Sequence, residues 1–522
     1  MTKLKKRLVL AALISVEVLI CALILVSLAV TQTGGSSARL FYWADTHAAE
    51  SIEERFSVDG PASLELDNLG GDVEIVAGEG DEYVIQAVKE VWGQGQEDAQ
   101  ARLQELQVVF THSGGRVTVQ VLEPPQMHVL SIVNRGSVVS FRITVPRQSD
   151  VRLSTRDGQV LVRDLKGDLQ IENRFGPVQI EDVMGAITVD ARDRDVTILR
   201  SGDRRAELEI HNRFGDLTLR DVTASQVQVE NRDGDVTLES LQIGGPLRVE
   251  ARFGMVDLED VSATDVEITS DNDAISLRNV QASGRVVLEH KFGQVSLYNV
   301  AGASLRVNTQ DGTVSLDEVV LEREISIETR FSGVDLSRCR AQELSIQASD
   351  RDVELDNVQL EGELRITGRH GSVRVSETTA REYRIETRDG PIELEGASGL
   401  LWLRNSFGDI TVTDAHEATL DVETNDGEFF FEGRLSGRTG HRVECKVGDV
   451  RLRLPADTAL WLDANARHGR IDNELSIEAQ TSQDGQDESG SPDEAQLEGA
   501  INGGKTKLRI KVRDGNIILE TY

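Results

Sequence analysis

Two sets of residues recur in this chain with the types and spacing to do chemistry. Aspartates return at Asp157, Asp193, Asp233, Asp271, Asp311, Asp350, Asp389 and Asp426, and arginines at Arg156, Arg174, Arg192, Arg213, Arg232, Arg252, Arg330, Arg369 and Arg388. Carboxylates repeated along a rod could act as general acid and base on a glycan, because inverting glycosidases hold theirs about 6.5–9.5 Å apart. The same acids could gather calcium through oxygen ligands. Guanidinium groups at regular intervals could instead grip an anionic polymer by charge-assisted hydrogen bonds. An active site, however, breaks a repeat locally, and these acids are the repeat itself. The calcium-roll nonapeptide is missing, as are zinc-type Cys/His spacings, nucleophile motifs and phosphate-binding glycine loops that open a helix. The reading is therefore turn-forming aspartates, with no catalytic residue, no metal ligand and no cofactor.

The elements that position these side chains follow from the triplet Arg-Phe-Gly. Phe175, Phe214, Phe253, Phe292 and Phe331 lie 39 residues apart at every step, and Phe407 follows later. The aspartate triplets fall midway between them. A period this strict means one structural unit used many times. Each unit reads Gly-x-Val-x-Leu-x-x-Val, a short corner, then Leu-x-Val-x-x-Arg-Phe/Asp-Gly. No unit can bury its apolar face alone, so units must stack. The prediction is an all-β protein, a β-solenoid over residues 149–472 of about 16 coils of ~19–20 residues in a 39-residue double repeat. Strand alternation places Leu247, Val249, Ala251 and Phe253 inward and Arg248, Glu250 and Arg252 outward. In the sister coil Val227, Val229, Asn231 and Asp233 take the inward column. Phenylalanine is thus expected as a buried corner plug that alternates with a short aspartate, and Phe253→Ala is expected to cost about 3–5 kcal/mol. The glycine that follows serves positive φ, so Arg194 and Arg351, which replace it, are expected to make different turns. The arginines face water, either as a ladder salt-bridged to residues such as Glu250 and Glu328 or as a polymer-binding column.

The rest of the chain sets an address. A net charge of −33 argues against nucleic acid as a partner. Lys3, Lys5, Lys6 and Arg7 precede an apolar run, which reads as a cytoplasmic stub (1–7) and a transmembrane helix (8–30), with a cleavable signal peptide as the rival. Glu17 within that helix would suit a helix–helix contact. Residues 31–51 read as a linker and 52–148 as a β-rich cap region with one helix at 97–106, where Ala99, Leu103 and Leu106 share a face. Residues 473–500 hold eight acids and no Lys or Arg, which reads as a disordered acidic loop before a closing β unit at 501–522. Cys339 and Cys445 would sit about 25 Å apart in the stack, so both are expected free and buried.

On the Phe56-Ser57-Val58-Asp59-Gly60 start, the Asn68 to Ile75 turn, the 97–106 helix, the Ile143-Thr144-Val145-Pro146 strand end and the closing Asp514-Gly515-Asn516-Ile517, the chain resembles a bacterial candidate-adhesin family of unknown function. The resemblance implies a β-solenoid in the cell envelope and supplies no catalytic residues. The expected protein is a non-enzymatic, single-pass cell-membrane protein with a large extracytoplasmic region. It would act as an adhesin-like binding or structural module toward envelope polysaccharide or another envelope protein. The alternatives are a carbohydrate-active β-helix enzyme and an envelope-stress sensor that works through a membrane partner.

Overall fold

The computed structural model describes residues 46–93, 95–122, 136–481, 484–486 and 492–522. The expected cytoplasmic stub and transmembrane helix lie outside them. Among the described residues no helix is long and apolar enough to cross a membrane.

The described chain winds into a β-solenoid of about 15 turns. Each coil has three faces, and every face is a ladder of parallel strands in the repeat array. A long face carries strands such as Leu247–Phe253, which pairs with Gln226–Asp233 on one side and Val266–Asn272 on the other. A short face is built from segments such as Val178–Glu181 and Val196–Leu199. A minor face is only two residues wide, as at Thr223–Ala224. Like residues stack on like: Val227 on Leu247, Val229 on Val249, and Val236 on Val256. These aliphatic columns are essentially inaccessible to solvent. Burial of each such side chain contributes about 1.5–3 kcal/mol. Period-two alternation on a narrow coil therefore supplies the core that no single unit could make.

The corners explain where alternation stops. At the first corner a glycine in the left-handed half of φ space reverses the chain, for example Gly234 at φ +130° and Gly254 at φ +122°. A Cβ on Gly254 would lie 2.2 Å from the carbonyl oxygen of Gly234 one coil away, so the stack is closed to larger residues there. Arg194 takes the same conformation at φ 133°, a strained one for a side-chain-bearing residue, whereas Arg351 does not. The second corner uses short polar residues in the left-handed helical region, including Asp182, Asp221, Asp260, Asn279 and Asn299.

The expectation that phenylalanine plugs the first corner is corrected. Phe175, Phe214, Phe253, Phe292, Phe331 and Phe407 are 40–51% exposed. The long face has only three inward positions, such as Leu247, Val249 and Ala251, before the chain begins to turn. Alternation ends there, and both Arg252 and Phe253 project outward. The inside of the corner is filled by small or polar groups instead. Asn231 is buried, and its Nδ2 donates to the carbonyls of Gly234 at 2.8 Å and Gly215 at 3.2 Å. Asn173, Asn212 and Asn405 repeat the arrangement toward Gly176, Gly215 and Gly408. The turn-shaping carboxylates are likewise not those of the Arg-Asp-Gly triplets. Asp195, Asp216 and Asp235, just past the corner, accept the backbone N–H groups of Asp216, Asp235 and Met255 in the next coil at 2.8–3.0 Å.

Both ends of the stack depart from sequence order. Ala62–Asn68 lies between Arg116–Leu122 and Ser149–Asp157, so a later segment forms the outermost N-terminal coil. At the other end, Lys507–Asp514 lies between His441–Val447 and Leu460–His468, and Ile517–Thr521 lies between Val450–Leu454 and Ile471–Asn473. The 501–522 unit expected to close the stack is thus the penultimate rung. Antiparallel strands cover the outer edges. Glu82–Gly93 pairs with Ser137–Pro146 and with Thr46–Ser57, so residues 46–51 are strand and not linker. The helix spans Gln96–Glu105, with Ala99 buried. Pro492–Ile501 pairs with Leu460–His468 and with Ile477–Thr481. The acidic segment is therefore β-structured at these residues and not a disordered loop. Leu497 packs on the core while Glu494 stays exposed.

Candidate binding surface

Two columns run side by side along the outside of the first corner. Coil register sets the first as Asp157, Phe175, Asp193, Phe214, Asp233, Phe253, Asn272, Phe292, Asp311 and Phe331. Asp350, His370, Asp389, Phe407, Asp426 and Val447 continue it. An acid or amide alternates with a large side chain at every step. Of the eight aspartates, all expected in this column, Asp271 alone falls outside it: Asn272 occupies the corner, because Asp273 takes the positive-φ place of the glycine. Asp271 instead stands in the arginine column, within 2.6 Å of Lys291 and 3.8 Å of Arg252.

The second column holds Arg156, Arg174, Arg192, Arg213, Arg232 and Arg252 on six consecutive coils, and Arg330, Arg369 and Arg388 further on. All nine are exposed, as expected. The expected salt-bridged ladder is not what the structure shows. Only Arg232 (to Asp233, 3.7 Å) and Arg252 (to Asp271, 3.8 Å) reach a carboxylate among the described residues. Arg213 lies over the ring of Phe214, with 5.5 Å from its guanidinium carbon to the centroid. Successive coils are about 4.8 Å apart, so these cations crowd one another.

Two grooves open onto this column. One, of about 540 Å³, crosses four coils and includes Gln310, Arg330, Ser349 and Arg369. The other, of about 290 Å³, includes Lys446, Arg513 and Arg467. Val447 pairs with Asp514, which pairs with His468, so the three basic residues just before them occupy adjacent rungs. Sequence order conceals this cluster, because the rung that carries Arg513 inserts between two earlier ones. The only sequence signal was that all three share the basic-x-Gly triplet. His468 and Asp514 are 2.8 Å apart, and Arg513 together with His468 holds the Asp514 carboxyl below the usual range. Among the described residues no group of three or more His, Cys, Asp or Glu side chains is placed to hold a metal ion.

The buried titratable groups point inward, although Cys445 also lines the second groove. Cys339 and Cys445 are free and buried, and desolvation pushes their thiols up to about 11 and about 12, which leaves them inert as nucleophiles. His441 is buried, with Nδ1 accepting from the Leu420 N–H at 3.3 Å and Nε2 donating to the Ser436 carbonyl at 2.9 Å. That pattern requires the neutral ring, and desolvation lowers its pKa; His290 is lowered in the same way. A depressed histidine pKa means the unfolded chain binds the proton better. Stability should be full above about pH 6.5 and fall as the pH drops through and below that value. His441→Gln, read by thermal midpoint against pH, should flatten part of this slope; an unchanged slope would refute the role given to His441.

The geometry defines a three-faced parallel β-solenoid repeat protein with a continuous corner ladder. The chain belongs to the Toastrack family of unknown function, DUF4097, which matches residues 62–270, 258–376 and 323–520. A solved structure of a candidate cell adhesion protein from Clostridium sporogenes is similar at 8% identity, covering 91% of this chain and 100% of that one with a TM-score of 0.14. No curated protein matches the chain.

Proposed function

We propose that this chain is a non-enzymatic, adhesin-like binding rod of the cell envelope that grips a linear anionic polymer along its arginine column. In this reading residues 8–30 hold it in the cell membrane, with residues 1–7 in the cytoplasm and the solenoid outside. One observation carries the ligand assignment. Six consecutive coils present an arginine at the same outward position, four of the six without a carboxylate partner among the described residues, in a chain of net charge −33. Stacked like charges destabilise a sheet, and a polyanion laid along the stripe relieves that repulsion. Replacing Arg156, Arg174, Arg192, Arg213, Arg232 and Arg252 by Gln should weaken retention on an immobilised polyanion by about tenfold or more at low salt, where each exposed pair contributes about 0.2–1 kcal/mol. Unchanged retention would overturn the assignment.

A further inference from the structure

We propose that the polymer is a glycan with an acidic group on alternate sugars, read jointly by the arginine column and the phenylalanine–aspartate column beside it. This inference rests on the arginine column being a polymer-binding surface.

Solvent-facing phenylalanines are costly unless something covers them. Here rings repeat every second coil, at about 10 Å intervals. That interval corresponds to two sugars of an extended β-linked chain, so each ring meets an equivalent sugar. Aromatic faces suit the C–H-rich faces of pyranose rings, while the groups between must deal with hydroxyls. Asp233 and Asp311, which lie between rings, are acceptor-only carboxylates able to take hydroxyl hydrogens, and among the described residues no backbone N–H group bonds to them. Each of the first five rings also has a cation at the preceding residue: Arg174, Arg213, Arg252, Lys291 and Arg330. A carboxylate or sulfate on every second sugar would face one of these cations when its neighbour lies on a ring. A polyanion with no sugar ring, such as polyphosphate, would use the arginines and ignore the phenylalanines.

The test uses the full-length chain and two probes: hyaluronan, which carries one carboxylate per disaccharide, and polyphosphate. The triple variant Phe175→Ala/Phe214→Ala/Phe253→Ala should bind hyaluronan about tenfold or more weakly, since each stacked ring contributes about 0.5–1.5 kcal/mol. It should bind polyphosphate as the unmodified chain does and keep its thermal midpoint. Replacing the same three residues by Trp should restore hyaluronan binding, and the six-arginine variant should lose both ligands. Undiminished hyaluronan binding by the alanine variant overturns the glycan inference while leaving the arginine reading intact. Equal loss of both ligands in that variant also overturns it. Failure of the unmodified chain to bind either probe overturns both readings.

Discussion

A chain that ends at Thr506 is expected to lose its C-terminal coils as a unit, although only 16 residues are gone. Removing the last rung of an ordinary solenoid exposes one ladder edge. Here Lys507–Asp514 and Ile517–Thr521 are hydrogen-bonded on both sides, so their loss opens a slot between coils that no longer touch. Leu508, Ile510, Val512, Ile517 and Leu519 are all buried, and at about 1.5–3 kcal/mol each their removal amounts to on the order of 10 kcal/mol before any ladder bond is considered. Solenoid stability is a sum over nearest neighbours, so the damage stays local. Hydrogen exchange should show protection lost in His441–Val447 and Leu460–His468 and retained in Leu247–Phe253. Persistent protection of Leu460–His468 in the shortened chain would show that this outer rung stands without the inserted one. The basic cluster of Lys446, Arg513 and Arg467 would disappear with the rung.

Within the triplet Arg252-Phe253-Gly254, stability should rest on the glycine. Gly254→Ala places a Cβ 2.2 Å from the Gly234 carbonyl, with φ at +122°. The backbone strain alone costs about 1–3 kcal/mol, and the clash adds to it because the opposing atom is main chain and cannot rotate away. Phe253→Ala, by contrast, removes a ring that is 46% exposed and leaves no cavity, so a change within about 1 kcal/mol is expected in place of the 3–5 that burial would demand. Denaturant titration of the two variants distinguishes the cases. A Phe253→Ala loss as large as that of Gly254→Ala would mean that the ring packs inside the corner.

What was legible in the sequence followed from periodicity. Valines and leucines at every second position, broken by glycine at a fixed interval, allow only short strands and tight turns, and such units bury their faces only by stacking. The solenoid, the outward arginines and the free buried cysteines all came from that logic, and the cap helix from the helical spacing of Ala99, Leu103 and Leu106. The exposure of Phe253 departs from the expectation because the inward–outward alternation stops at Ala251, two residues before the strand ends at the corner. Asn231, already placed inward, was the clue: a buried amide beside a glycine corner is the group that satisfies the corner's carbonyls.

The repeat alone determined that this protein is a rod with one residue type per column, because a stacked coil with a fixed register turns sequence period directly into spatial alignment. Only the tertiary structure decided which column faces water at the corner, since that depends on where the backbone leaves the strand. It also decided the order of the terminal rungs, which arises from pairing between segments far apart in the chain and leaves no periodic trace. The arginine column gained its meaning there as well: among the described residues most of its guanidinium groups have no carboxylate within reach, because carboxylates near in sequence fail to reach them in space.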